Sequence, residues 1–135
     1  MTMVPRGIRN NNPLNIRISN NKWKHKVIPS KDKDFEQFET MEWGIRAAFV
    51  IMRTYINKYG LDTPAKIITR WAPESENNTK AYINTVYKKT GYKPYGKIDF
   101  NDKFYMIRLL QAMIWVECGG YYLPLPAIER AYDMI

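Results

Sequence analysis

The sequence has few of the side chains on which metal sites, disulfides and nucleophilic hydrolases depend. Its 135 residues include one cysteine, Cys118, and one histidine, His25. A single cysteine excludes an internal disulfide, and one histidine with one cysteine does not make a metal-ligand set. His25 has no partner motif that would activate a serine or cysteine nucleophile, and a glycine-rich phosphate loop is missing. We therefore expect no metal and no cofactor.

Long apolar runs are also missing. No apolar segment approaches the roughly 18 residues needed to cross a membrane. The opening segment, residues 1–7, lacks the apolar core of a signal peptide. The chain is therefore expected to have no membrane span and to be made in the cytoplasm.

Acidic residues are outnumbered by basic ones. There are 13 Asp and Glu against 21 Lys and Arg, so the net charge is +8 and the pI is near 9.6. This charge predicts a polyanionic partner, either nucleic acid or an anionic bacterial envelope, and charge alone does not separate the two. With 45% hydrophobic and 14% aromatic residues, the length predicts one globular domain over residues 1–135, which we expect to be a monomer.

The first 40 residues differ in local pattern from the rest. Residues 6–17 are rich in Asn and predict an ordered loop, because Asn tolerates left-handed backbone and hydrogen-bonds its own turn. Three short extended segments predict a small antiparallel sheet near the N-terminus: Leu14 to Ile18, Trp23 to Ile28 and Phe35 to Phe38. Beyond them, apolar spacing and capping residues predict five helices: Thr40 to Gly60, Thr63 to Trp71, Asn77 or Asn78 to Gly91, about Asp102 to Glu117, and Pro126 to Met134. The predicted fold class is therefore α+β and predominantly helical.

One carboxylate, Glu117, stands at the end of an apolar helical run and just before a Gly-Gly break. Leu110, Met113 and Ile114 share its helix face, because residues three, four and seven apart lie on one side of a helix. A core-facing position and the negative end of the helix dipole both raise the pKa of a carboxyl group. A carboxylic acid that stays protonated near neutral pH is what glycoside cleavage needs to protonate a leaving oxygen. The alternative is a solvent-facing Glu at a frayed helix end.

Five motifs occur in a fixed order over residues 6–120. They are Arg6-Gly-Ile-Arg-Asn-Asn-Asn-Pro-Leu-Asn-Ile-Arg17 followed by Trp23, Phe35-Glu-Gln-Phe38, Gly44-Ile-Arg-Ala47, Trp71-Ala-Pro-Glu-Ser-Glu-Asn-Asn-Thr79 with Tyr82, and Ala112-Met-Ile-Trp-Val-Glu-Cys-Gly119. Together they resemble a lysozyme-like family of small phage and prophage proteins. In related peptidoglycan-cleaving enzymes the acid helix precedes the Asn-rich segment, so we infer a circularly permuted arrangement with the acid helix last in sequence but packed beside the Asn-rich loop. Glu117 is then expected to lie next to Asn11 to Asn15, roughly 100 positions earlier. Cys118 and Leu14 depart from the family, which often has a polar residue and Gly at these positions.

The resemblance implies a lysozyme-like domain with a small N-terminal sheet that cleaves peptidoglycan as a muramidase or a lytic transglycosylase. It makes Glu117 the expected general acid. Glu76 is the best second carboxylate, and its alternative role is to cap a helix or pin a loop. The residues expected to line the substrate are Asn11, Asn12, Asn15, Trp71, Thr79, Tyr82 and Tyr121. Their alternative roles are turn stabilisation for the Asn side chains and core packing for the aromatic ones.

The expected partners are peptidoglycan glycan strands and the anionic bacterial envelope, reached through a phage or a secretion route. Two other functions remain open. A non-catalytic virion or wall-binding protein would keep the same fold. A small basic nucleic-acid-binding protein would share the charge, although the sequence contains no recognition-helix motif.

Overall fold

The computed structural model of the chain describes residues 4–135, and within that range it contains six helices. They are α1 (Arg6–Arg9), α2 (Met41–Tyr59), α3 (Pro64–Trp71), α4 (Thr79–Thr90), α5 (Lys103–Glu117) and α6 (Leu125–Tyr132). Residues 1–3, part of the segment expected to lack a signal-peptide core, lie outside the described residues. In the part of the chain that the structure describes, none of the helices has the length and apolar character needed to span a membrane.

Side chains that cap the backbone set the starts of the long helices, as the sequence predicts. In α2 to α5 the residue before the helix accepts a backbone N–H three positions later, at 3.1–3.4 Å: Thr40, Thr63, Asn78 and Asp102. Gly60 and Gly91 end α2 and α4 with φ of 66° and 75°, in the left-handed region that glycine enters at little cost. The five predicted helices are therefore confirmed, with ends that differ by only one or two residues.

Helices α2 to α6 pack in a closed circuit. Helix α2 contacts α3 and α6, α5 contacts α4 and α6, and α3 contacts α4. The largest fully buried side chains inside the circuit include Phe49, Met52, Ile68, Leu110, Met113 and Ile114. Each such side chain stabilises the fold by about 1.5–3 kcal/mol relative to exposure. Helix α5 has neighbours on two sides, so its C-terminal end, where Glu117 lies, has a fixed position.

The predicted N-terminal sheet, and with it the α+β fold class, is wrong. Across residues 4–135 no strand forms. The extended segments meet at two isolated antiparallel bridges, Arg17 with Phe35 and Lys26 with Phe38. The fold is helical, and residues 10–40 form an ordered but irregular segment, which we call the N-terminal segment.

Side-chain amides explain why the N-terminal segment forms no sheet. Asn12 Nδ2 donates to the carbonyls of Ile16 and Glu36, both at 2.9 Å, and Asn11 Nδ2 donates to the carbonyl of Phe38 at 3.0 Å. The carbonyl of Ile16 still accepts the N–H of Glu36 at 2.9 Å, as in an antiparallel ladder, but the N–H of Ile16 donates to Asn12 Oδ1 at 3.0 Å instead of to the carbonyl of Glu36. The side chain of Asn12 therefore replaces one ladder bond between the two segments, which is the competition expected of Asn.

The start of the Asn-rich region is a helical turn rather than a loop. The carbonyl of Pro5 accepts the N–H groups of Ile8 and Arg9, both at 3.0 Å, which closes α1. Arg6 Nη2 donates to Asp32 at 2.6 Å, and the Arg6 guanidinium holds the pKa of that carboxyl well below its ordinary value. This ion pair fastens α1 to the middle of the N-terminal segment.

Candidate active site

Glu117 is the last residue of α5, and its side chain is half-buried. Asn15 Nδ2 donates to Glu117 Oε1 at 3.1 Å and lies 3.4 Å from the backbone carbonyl of the same residue. The hydroxyl of Tyr82, a buried residue of α4, is shared between the carbonyl of Met113, to which it donates at 3.4 Å, and this carboxyl, whose pKa it lowers. The expected proximity of Glu117 to a residue about 100 positions earlier is therefore confirmed.

The surroundings of Glu117 favour its protonated form. Burial raises the pKa of this carboxyl above its ordinary value, while the hydrogen bonds from Asn15 and Tyr82 lower it by a smaller amount. The upward shift inferred from the apolar helix face is thus confirmed. Burial also raises the pKa of Tyr82 and raises that of Cys118 to about 12, so both remain neutral at pH 7. A carboxyl with a raised pKa keeps a transferable proton at higher pH than an ordinary Glu.

Asn15 is held in a costly conformation while it orients Glu117. Its φ is 53°, in the left-handed region that Asn tolerates better than most residues. Its Oδ1 is buried and has no hydrogen-bond partner among the described residues. A Cβ added to Gly7 would lie 2.9 Å from this oxygen, so only a glycine leaves room for the amide. A buried, unpaired acceptor costs about 1–3 kcal/mol, and such costs cluster at functional sites.

The Asn-rich loop packs closely against α2 and α3. Gly44 of α2 lies against it so closely that an added Cβ would be 1.8 Å from the carbonyl oxygen of Asn11. Trp71, at the end of α3, donates its Nε1 to the carbonyl of Leu14 at 3.0 Å. These contacts fix the loop, and therefore the Asn15 amide, relative to α5.

The two departures from the family pattern lie in this same interface. The thiol of Cys118 donates to the carbonyl of Pro13 at 3.2 Å. Leu14 is 1% exposed and belongs to the apolar core. Both residues therefore stabilise the docking of the loop on the end of α5.

Two shallow grooves are each lined by one neighbour of Glu117. One has a volume of about 180 Å³ and is lined by Asn15, Ile16, Arg17, Ile51, Tyr55 and Trp71. The other has a volume of about 270 Å³ and is lined by Asn77, Asn78, Ala81, Tyr82, Thr85 and Val116. Glu117 itself lines neither groove, and its neighbours Asn15 and Tyr82 separate it from the first and the second groove, respectively.

Glu76 is not joined to Glu117. Its side chain is 61% exposed in the loop between α3 and α4, and its Oε2 lies 3.9 Å from Arg17 Nη2. The side chains that hydrogen-bond the Glu117 carboxyl are Asn15 and Tyr82, and Glu76 is not among them. An exposed ion pair of this kind contributes little to stability. Through this contact with Arg17, Glu76 links the loop between α3 and α4 to the N-terminal segment.

Asn11 and Asn12 do not line either groove, so their predicted contact with substrate needs correction. Asn12 is fully buried, and in addition to its two donated bonds its Oδ1 accepts the N–H of Ile16 at 3.0 Å. Asn11 has φ of 52° and donates to the carbonyl of Phe38. Because their amides are engaged internally, both residues stabilise the loop.

Thr79 and Tyr121 also lie outside the two grooves. Thr79 is buried, donates to the carbonyl of Ala72, and lines a separate groove of about 660 Å³ between α3 and α4. Tyr121 is 37% exposed and follows two glycines with φ of 61° and 95°. Asn15, Trp71 and Tyr82 are therefore the three predicted substrate residues that line the two grooves.

Four residues of the first groove, Ile16, Arg17, Ile51 and Tyr55, are not among the predicted substrate residues. Tyr55 and Ile51 of α2 line it, and the ring of Tyr55 packs edge-on against Trp71 with 6.1 Å between ring centroids. Tyr55 belongs to the apolar stripe that predicts α2, and this periodic pattern does not separate a groove position from a core position.

The fold and site define a small helical protein with a half-buried acid at the end of α5, next to one residue from each of two grooves. No model of a known protein family matches the chain. The chain is 42% identical over 131 residues to Protein P5 of Pseudoalteromonas phage PM2, and the alignment covers 95% of the chain and 80% of that protein. The chain therefore belongs to the family of Protein P5, which associates it with bacteriophages.

Proposed function

We propose that the chain cleaves the glycan strands of peptidoglycan, with Glu117 as the general acid. The observation that carries the proposal is the state of Glu117: it is half-buried, has a raised pKa, and has as neighbours Asn15 and Tyr82, each of which lines a groove. A general acid of this kind is the group that glycoside cleavage requires.

The convergence of the five motifs in space supports the proposal. The first motif meets the other four through these contacts: Asn10 with Phe38, Asn11 with Gly44, Leu14 with Trp71, and Asn15 with Glu117. Segments separated by up to 102 positions are thus assembled around one carboxylate. This is the arrangement expected of a permuted peptidoglycan-cleaving site, in which the acid helix comes last in the sequence.

The proposed reaction uses a single carboxyl group. Glu117 donates its proton to the glycosidic oxygen, the bond from the anomeric carbon to that oxygen breaks, and the electron pair leaves with the oxygen. Asn15 and Tyr82 stabilise the resulting carboxylate through their hydrogen bonds. A hydroxyl then attacks the oxocarbenium-like carbon, and its proton returns to Glu117.

The position of Glu76 favours an intramolecular nucleophile. A hydrolase of this type normally places a second carboxylate beside the acid to activate water or to form a covalent intermediate. Here Glu76 is exposed and paired with Arg17. A hydroxyl of the sugar itself needs no second carboxylate, which makes the lytic transglycosylase reaction the preferred form of the proposal. Mass spectrometry of the digest separates the two, because an intramolecular attack gives a product lighter by one water than hydrolysis does.

The net charge of the chain and its similarity to a bacteriophage protein both support peptidoglycan as the substrate. The net charge of +8 favours association with an anionic envelope. The relative of 42% identity is a bacteriophage protein, and bacteriophages have to pass the wall of their host.

The proposal is tested by clearing of a purified peptidoglycan suspension. Glu117→Gln should reduce the rate about 10²–10⁴-fold, the usual contribution of a general acid. Glu76→Gln is the matched control and should retain most of the wild-type rate. If wild type binds peptidoglycan without clearing it, the chain is a wall-binding protein. If Glu117→Gln clears as fast as wild type, the assignment of the acid is wrong.

A further inference from the structure

A second cavity lies on the opposite side of α5 from Glu117. It has a volume of about 520 Å³, and the residues of its lining that matter here are Lys89, Arg108, Gln111, Trp115, Tyr122 and Leu125. At 3.6 residues per turn, the four lining residues from α5, which are Arg108, Gln111, Ala112 and Trp115, point roughly away from Glu117. The volume is within the range of about 300–1,000 Å³ that small-molecule sites occupy. This cavity, which we call the α4–α5 pocket, is therefore separate from the candidate active site.

The α4–α5 pocket is cationic. Lys89 and Arg108 line it, and the lining contains no acidic residue. Among residues 4–135, neither cation has a carboxylate within 4.0 Å. Both side chains are exposed, and an anion bound at the pocket is attracted by two cations that have no acidic partner there.

The rest of the lining suits a ring-shaped ligand that also carries polar groups. Tyr122 and Leu125 supply apolar surface, whereas one face of the Trp115 ring is covered by Lys89 Nζ, 3.5 Å from the ring centroid. Gln111 Nε2 donates to the carbonyl of Leu123 at 2.8 Å, which fixes the amide and leaves its Oε1 as an acceptor. A sugar has both an apolar face and hydroxyl donors, and aromatic side chains with a few placed polar groups are typical of ligand pockets.

We propose that the α4–α5 pocket binds an acidic sugar, one or two rings in size, through a carboxylate or phosphate group held by Lys89 and Arg108. The choice of a sugar as the carrier rests on the proposed cleavage of glycan strands. Nucleic acid fits the pocket less well, because Lys89 Nζ lies 3.5 Å from the centroid of the Trp115 ring and covers the face on which a base would stack. The pocket would anchor a wall polymer away from the bond that is cut.

Binding of small acidic sugars to the full chain tests the proposal. The probes are N-acetylmuramic acid, which carries a carboxylate, N-acetylglucosamine 6-phosphate, which carries a phosphate, and neutral N-acetylglucosamine. Calorimetric titration should show binding of at least one acidic sugar about tenfold or more tighter than the neutral one, because charge-assisted hydrogen bonds are roughly twice as strong as neutral ones. Comparison of the two acidic probes distinguishes a carboxylate source from a phosphate source.

Variants locate the binding. Lys89→Gln with Arg108→Gln should lower the affinity for the acidic sugar about tenfold or more. Lys88→Gln is the matched control, since Lys88 is the adjacent exposed lysine and does not line the pocket. Sugar binding should persist in Glu117→Gln, which no longer clears peptidoglycan, so failure of this site and failure of the proposed function are distinguishable.

Three results would overturn the proposal. In the first, neither acidic sugar binds more tightly than N-acetylglucosamine. In the second, Lys88→Gln weakens binding as much as the double variant does, which indicates a general charge effect. In the third, a short single-stranded oligonucleotide binds more tightly than both acidic sugars and loses affinity in the double variant, which assigns the pocket to nucleic acid.

Discussion

Gly44 is the position where one added methyl group should disturb both the fold and the candidate site. It is buried in α2, and a Cβ there would lie 1.8 Å from the carbonyl oxygen of Asn11 and 2.9 Å from its carbonyl carbon. Real Cβ contacts are almost never under 3.0 Å, so in Gly44→Ala the loop or the helix must move by more than an ångström. The obstructing atoms belong to the backbone, so rotation of a side chain does not relieve the clash.

The size of the effect follows from opposing contributions. In an unobstructed helix, Gly→Ala stabilises by about 0.8–1 kcal/mol. Displacement of the loop breaks the bond from Asn11 to Phe38, worth about 1 kcal/mol, and leaves the buried amide of Asn12 poorly paired, at a cost of about 1–3 kcal/mol. Overpacking adds a cost of similar size. We expect Gly44→Ala to lower the free energy of unfolding by about 2–4 kcal/mol.

Urea unfolding measures this difference. With a slope of about 2 kcal/mol per M, the midpoint should fall by about 1–2 M. Gly60→Ala at the end of the same helix is the control, because nothing lies within 4 Å of its Cβ and the cost comes from its φ of 66° alone. That cost is about 1–2 kcal/mol. A midpoint for Gly44→Ala at or above that of wild type would refute the close docking of the Asn-rich loop on α2.

Three further outcomes are expected. Because burial raises the pKa of Glu117 in the folded protein, the native state binds this proton more readily than the unfolded chain, and stability falls as the pH rises through the folded-state pKa. Glu117→Gln should therefore unfold at higher urea than wild type at pH 7, with the difference disappearing below about pH 4; an equal difference at both pH values contradicts this reasoning. Tyr82→Phe removes a donor that lowers the pKa of Glu117, so the alkaline limb of the pH–rate profile should move to higher pH; an unmoved or lowered limb would show that the hydroxyl does not act on the acid. Burial raises the pKa of Cys118 to about 12, so labelling by a disulfide reagent at pH 8 should be at least about 100-fold slower in the native protein than in urea. Equal labelling rates would place the thiol at the surface.

The helices could be predicted because their signals are local. Thr40, Thr63 and Asn78 act on N–H groups three positions away, and Gly60 and Gly91 end helices through their own φ. Each of these effects is contained in a short stretch of sequence. The order and bounds of α2 to α6 therefore follow from pattern alone.

The sheet prediction fails because strand pairing is not local. The extended segments have the right composition, but whether they form a ladder depends on which groups reach the backbone carbonyls. Here the side-chain amides of Asn11 and Asn12 donate to the carbonyls of Phe38, Ile16 and Glu36. Composition shows that Asn is abundant in the loop and does not show where each amide points.

The same limit applies to the site. Asn12 and Asn15 have identical chemistry, yet the first is fully buried in the loop and the second holds Glu117. The difference follows from backbone conformation, since Asn15 has φ of 53°. The order of the motifs predicts that the loop meets the acid helix, but it does not identify the residue that makes the contact.

The bond between Asn15 and Glu117 has a consequence for how the protein is made. The two residues are 102 positions apart. The ribosome therefore translates nearly the whole helical circuit after it has added Asn15 and before it adds Glu117. An unfinished chain that ends before α5 has the loop but no acid, and the loop closure that joins them is among the last and most entropically demanding steps of folding. The arrangement around Glu117 therefore exists only in a chain that has been translated through α5 and folded, so partial products in the host cell lack it.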